Sequence, residues 1–149
     1  MSLTERVAVD LVAAMKERAE LRLSVLRMLK AEFQRAQADK GRAAELTEDD
    51  AQMLVRRLIK QRKEAAEQYR AAGAAERAEA ELAEAAVLEV YLPAQLGDAE
   101  LDALVAEAAK EAGAASPRDM GKLMRILMPR VAGRADGNRV KERVTAFFA

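Results

Sequence analysis

The sequence predicts an all-α, multihelical fold, and three observations carry that prediction. Of the 149 residues 51% are hydrophobic, but 34 of them are Ala, which has the highest helix propensity and brings little transfer energy. Strand-forming material is scarce: Val and Ile together number 13, Thr 3, aromatic residues make up 3%, and Trp is absent. Apolar side chains also recur at three- and four-residue spacing along most of the chain. A chain of this length buries roughly 70% of its unfolded surface, enough for one domain or two small ones.

The elements follow in order. Ser2 with Glu5 matches a capping box, and Val7, Leu11 and Ala14 continue at helical spacing. The pattern runs on through Leu21, Val25 and Met28, with Leu26, Leu29 and Phe33 on a neighbouring face. No Gly or Pro marks a break near Arg18–Glu20, so the pattern leaves one helix or two open, ending at Lys40-Gly41. Thr47 with Asp50 opens the next helix, striped by Leu54, Leu58, Ala65 and Tyr69 and ended or kinked at Gly73. Residues 74–92 form an Ala- and Glu-rich helix buried through Leu82, Ala85, Leu88 and Leu92 and closed by Pro93.

Pro93 to Gly97 is the expected boundary, giving an N-terminal helical subdomain over 1–92 and a compact C-terminal one over 93–149. Leu101, Leu104, Val105, Ala108 and Ala112 stripe the first helix beyond it, which Gly113 stops. Ser116-Pro117 is a helix start, with Ser as cap and Pro at the first position. Met120, Leu123, Met124, Leu127 and Val131 then share a face, and Pro129 is expected to limit the helix. Asp136 caps a last helix in which Val140, Val144, Phe147 and Phe148 face inward. The count is six or seven helices, with no strand and no repeat of solenoid period.

The absence of Cys and His excludes disulfides, thiol or imidazole catalysis and the usual zinc and haem ligands. Three Ser, three Thr and two Tyr remain, of which Ser2 and Ser116 read as caps and Ser24 as a hydroxyl bonded back to its own helix. The acids Glu45, Glu48, Asp49 and Asp50 favour the positive end of a helix dipole and lack the alternate spacing of a calcium loop. The inventory calls for no catalytic residue, no cofactor and no metal. Charges interrupt every apolar stretch short of the ~20 residues that span a bilayer, and no signal-peptide core opens the chain. A cytoplasmic protein without membrane contact is expected.

The net charge of zero conceals blocks. Met53–Lys63 carries five bases and no acid, and Arg56, Lys60 and Lys63 line one face with Arg57 beside them. Glu64 and Glu67, four residues beyond Lys60 and Lys63, are expected to pair with that face. Gln95–Pro117 has five acids against one base, whereas Arg118–Arg143 has eight bases against three acids. In the latter block Arg118, Lys122 and Arg125 fall opposite the apolar stripe, and Arg130, Arg134 and Arg139 follow around the turn at 133–138. These six are the candidate RNA-facing residues, placed to meet phosphates on a folded RNA. No aromatic residue interleaves with them, so base stacking is unsupported. Met120, Met124 and Met128 read as core filler, and Gly121 as permitting close helix packing.

Five stretches together resemble the GatB/YqeY family: residues 22–31 (RLSVLRMLKA), 60–64 (KQRKE) and 88–96 (LEVYLPAQL), then Met120-Gly121-Lys122 and Gly133–Gly137 (GRADG). They occur in the family's order over almost the whole chain. The resemblance implies a stand-alone YqeY-like protein of two all-α subdomains. It also implies kinship with the tail of the B subunit of the glutamine-dependent aspartyl/glutamyl-tRNA amidotransferase, which helps hold tRNA while other domains do the chemistry. Gly121, Lys122, Ala135, Asp136 and Gly137 match the motif shared with that tail. Gly97 departs from the pattern, standing where a Ser-like helix cap is expected.

The expectation is a non-catalytic helical protein that contacts tRNA or a tRNA–enzyme complex. The family label, carbon–nitrogen ligase with glutamine as amido donor, reads as inherited from the multidomain enzyme. A pI near 6.4 favours the alternative, a protein–protein interaction module without RNA affinity.

Overall fold

The structure, a computed structural model, describes residues 1–149. It is all-α: seven α-helices, one 3-10 turn and no strand. The chain divides into two compact units, Met1–Leu92 and Pro93–Ala149.

The N-terminal unit contains α1 (Leu3–Glu17), α2 (Glu20–Lys40), α3 (Glu48–Ala71) and α4 (Ala75–Glu89). Its core is built from one stripe per helix: Leu3, Val7, Leu11 and Ala14 on α1, Val25, Leu26, Leu29 and Phe33 on α2, Leu54, Val55, Leu58 and Ile59 on α3, and Ala85 and Leu88 on α4. Each fully buried Leu among them contributes about 1.5–3 kcal/mol of transfer energy. Both N-terminal caps form as the sequence proposes. Ser2 and Glu5 exchange bonds in one capping box, and Thr47 and Asp50 in another. Glu48 adds a tie between elements, its Oε1 accepting from the Leu3 amide at 2.8 Å.

Two helices, not one, precede Gly41. The break is at Arg18, in the left-handed region at φ 54°, and the Ala19 amide donates back to the Ala14 carbonyl at 3.1 Å. A residue with a Cβ pays roughly 1 kcal/mol or more for that conformation, so composition gives no sign of it. At the other end α4 stops at Glu89, three residues before the expected end at Leu92. The chain tightens there, with Tyr91 and Leu92 amides donating to the Leu88 and Glu89 carbonyls. That tightening turns Tyr91 into the core, at 4% exposure.

The C-terminal unit contains α5 (Asp98–Ala112), the 3-10 turn Pro117–Asp119, α6 (Met120–Val131) and α7 (Gly137–Phe148). Helix α5 packs against both α6 and α7. Leu101, Val105, Leu123, Leu127, Val131, Val140 and Val144 are all fully buried between them. Leu96 is buried in the same cluster, and its amide donates to the Arg134 carbonyl at 2.7 Å. The 93–97 segment is thereby fixed to this unit.

Several sequence expectations are corrected here. Pro129 does not end α6, which runs on to Val131. Pro129 lies on the exposed side, where water can serve the carbonyl its missing N–H leaves free, while Val131 gains complete burial. Leu21, Met128 and Phe147 are exposed, at 47%, 40% and 45%, where inward positions were expected. Ser116 makes no side-chain cap; instead Asp119 accepts from the Ala115 amide at 3.0 Å. Ser24 is exposed without a bond to its helix, and Thr145 is the residue that donates back, to the Lys141 carbonyl at 2.9 Å.

Candidate nucleic-acid interface

The interface begins with the two faces of α6. The inward face is apolar, so every charge on the helix lies outward. Between Asp119 and Asp136 the chain carries four bases and no acid. Any neutralisation must therefore come from another element, and α5 supplies it to Arg130 and Arg134.

Asp98 and Asp102 stand one turn apart on α5, as do Arg139 and Arg143 on α7, and the two pairs meet rung to rung. Arg139 donates from Nε and Nη2 to Asp98 Oδ1 at 3.2 and 2.6 Å. Arg143 forms a bidentate pair with Asp102, Nε to Oδ1 at 2.7 Å and Nη2 to Oδ2. These bonds hold both carboxyls below the usual Asp range, the donated guanidinium hydrogen bond being the larger cause in each. The Arg143 guanidinium is correspondingly held more firmly protonated by the bonds it donates to Asp102.

Arg130 pairs with Glu111, and Arg134 lies 3.8 Å from Glu100. Two of these arginines also serve backbone. Arg134 Nε donates to the Ala94 carbonyl at 3.1 Å, and Arg139 Nη1 to the Leu96 carbonyl at 2.6 Å.

The six candidate residues thus separate into two sets. Arg130, Arg134 and Arg139 are committed to acids and carbonyls of the same unit. Arg118, at the 3-10 turn, and Lys122 and Arg125, on α6, are exposed and form no ion pair or side-chain hydrogen bond. Met128 and Pro129, one turn beyond Arg125, extend their face as an exposed apolar margin.

The family-motif residues also receive distinct tasks. A Cβ placed on Gly121 would meet nothing within 4 Å, which overturns the close-packing expectation and leaves an open surface beside Lys122. Gly137 is open in the same way. Ala135 is buried, and Asp136 caps α7 by accepting from the Asn138 amide at 3.1 Å. Gly97 caps α5 in extended backbone without a side chain, as its departure from the family pattern requires.

The basic face of α3 is organised differently from expectation. Lys63 pairs with Glu89 on α4 at 2.9 Å, Arg62 with Glu84 at 3.4 Å, and Arg57 reaches Glu32 on α2 at 4.0 Å. Arg56 donates to Gln52 at 3.2 Å. Glu64 and Glu67 take no part in these pairs, because residues across the helix interface are better placed than those one turn along. Lys60 alone of that face is exposed without an ion pair.

Sequence reasoning missed Arg143, and missed that four of the five acids of α5 (Asp98, Glu100, Asp102 and Glu111) pair with the basic block. The signal was present as matching i, i+4 spacing in Asp98/Asp102 and Arg139/Arg143, which becomes a ladder once α5 and α7 lie side by side. No group of three His, Cys, Asp or Glu side chains is arranged to hold a metal ion, and no helix is long and apolar enough to cross a membrane.

The family model for Yqey-like proteins matches residues 4–148. The chain belongs to the YqeY-like family. Family membership supports a GatB-tail-like domain, in keeping with the motif around Gly121, Lys122 and Ala135–Gly137. No curated protein matches the chain.

Proposed function

We propose that this YqeY-like protein is a non-catalytic, RNA-associated helical protein that contacts tRNA, alone or in a tRNA–enzyme complex, through its C-terminal unit. The observation that carries the reading is the set Arg118, Lys122 and Arg125, exposed and without an ion pair. Unpaired cations can exchange counterions for phosphates at no cost in broken ion pairs. Arg130, Arg134 and Arg139, their charges met by Glu111, Glu100 and Asp98, hold the unit together and leave the first three as its free cations. Gly121 leaves backbone and ligand free to approach beside Lys122. A protein working inside cells at zero net charge binds RNA through such a local patch, not through a global field.

Fluorescence anisotropy of labelled tRNA across a salt series tests this. Each phosphate contact contributes about 0.7–0.9 to the slope of log affinity against log salt. The variant Arg118→Glu/Lys122→Glu/Arg125→Glu is expected to lower that slope by roughly 2–3 and to weaken binding at all salt concentrations. Wild type that does not bind at low salt, while pulling down a protein after nuclease treatment, would establish the interaction-module reading instead.

A further inference from the structure

Helix α1 is apolar on two sides. One side, Leu3, Val7, Leu11 and Ala14, is in the core. The other is in solvent: Val9, Val12 and Met15 are 55%, 50% and 52% exposed, and Ala8 is exposed beside them. A surface helix with a single apolar stripe needs no further partner, but a second stripe does. Singly scattered exposed apolar residues are ordinary on any surface, so the arrangement of these decides the matter.

Glu5, Val9, Val12 and Lys16 follow one another at spacings of four, three and four residues, the seam of a two-stranded coiled coil. The seam has an inversion built into it. Turned end for end, Val9 exchanges with Val12 and Glu5 with Lys16, so an antiparallel copy sets valine on valine in the middle and an acid on a base at each end. Neither Glu5 nor Lys16 has an ion-pair partner within the chain. Glu5 spends Oε2 on the Ser2 amide at 3.0 Å and keeps Oε1 for a partner. Ala8 and Met15 border the seam on one side, a small residue permitting close approach and a flexible one filling the gap.

We propose that α1 is the contact face of a two-fold symmetric dimer, its occupant the α1 helix of a second copy in antiparallel register. An unrelated partner would have no need of a face complementary to itself, whereas an isologous interface requires it. The helix is about 22 Å long, so the contact is small and the dimer reversible, forming as concentration rises.

Sedimentation equilibrium on the full chain, over a concentration series reaching about 1 mM, tests this. Wild type is expected to pass from monomer to dimer. Lys16→Glu sets acid against acid at both ends of the seam and is expected to weaken dimerisation by about tenfold or more. Glu5→Lys does the same with bases, and its retained helicity is checked by circular dichroism because it also removes a capping acceptor. The double variant Glu5→Lys/Lys16→Glu is expected to dimerise again, as is a mixture of the two single variants. Val12→Lys, which leaves both caps intact, is expected to be monomeric. A wild type that stays monomeric throughout, a dimer indifferent to Lys16→Glu or Val12→Lys, or a folded double variant that stays monomeric overturns the proposal.

Discussion

Arg139 is held by Asp98 and by the Leu96 carbonyl at once, so an arginine whose position suggests RNA contact is already the bolt between α7 and the start of α5. One rung further on, Arg143 and Asp102 repeat the arrangement. The acids of α5 therefore determine how much of the basic block is available to a ligand. Replacing them with neutral amides sets those arginines free without removing any cation. Asp98→Asn/Asp102→Asn is expected to strengthen tRNA binding and steepen its salt slope by roughly 1–2, one contact per freed arginine. A titration matching wild type would show that the freed arginines point away from the RNA.

The same two carboxyls set an acid limit on the C-terminal unit. Their folded-state pKa values lie below the unfolded ones, so their contribution to stability is fully present above the ordinary Asp range. It is lost as pH falls through that range toward the folded values. Thermal melts of wild type are therefore expected to drop on acidification below about pH 4. The doubly amidated variant is expected to drop less steeply, having no carboxylate there to protonate.

Gly121 gives a test of the opposite sign. A helical glycine kept for close packing loses stability on gaining a methyl group, whereas one in open space gains it. Nothing lies within 4 Å of the added Cβ, so Gly121→Ala is expected to stabilise the unit by about 0.5–1 kcal/mol. Denaturant midpoints read the difference directly, and a loss of stability would restore the packing explanation.

Much of the fold was legible because it depends on local chemistry. Ser2/Glu5 and Thr47/Asp50 announce their capping boxes at three-residue spacing, and Lys40 joins the second, holding the Asp50 carboxyl down at about 2. The apolar stripes of α5 and α6 read correctly because burial follows helical period. What failed to show was non-local or statistically rare. Arg18 breaks a helix in a conformation that the sequence usually marks with Gly. Tyr91 reads as the tail of an Ala-rich helix, yet the turn after Glu89 swings it inward. The candidate interface was half legible: spacing found the outward cations, but only the position of α5 reveals which are already paired.

Tyr91 carries a second pH-dependent contact. Its hydroxyl donates to Asp10 Oδ2 at 2.6 Å, and Arg6 lies over its ring at 5.3 Å from the centroid. Burial, and then the bond to the Asp10 carboxylate, push the phenol well above its ordinary pKa. A raised folded-state value means stability present below the unfolded pKa of about 10 and lost as pH rises through it toward the folded value. Tyr91→Phe is expected to cost about 1–2 kcal/mol near neutrality, a charged-acceptor bond moderated by partial solvent access. It should also remove most of the alkaline destabilisation, which paired melts at pH 8 and about pH 11 compare.

The hydroxyl inventory bears on amide transfer. Ser2 and Thr47 are engaged as caps, Thr4 shares a 3.1 Å bond with Ser2, Thr145 donates to a carbonyl, and Tyr91 to Asp10. Ser24 is exposed on α2 with no base bonded to it. The chain has no Cys or His to act as nucleophile or general base. A glutaminase needs an activated nucleophile to release ammonia; of these hydroxyls only Tyr91 is bonded to a carboxylate, and its burial and that bond hold the phenol protonated instead of activating it. Incubation with glutamine and ATP, with and without tRNA, is therefore expected to yield glutamate at the rate of the buffer alone. Release above that rate, if it also follows the purified chain through sizing and is abolished by a single substitution, would mean that a catalytic group exists outside this inventory. The exposed basic surface at Arg118, Lys122 and Arg125 would then be read as a candidate substrate site.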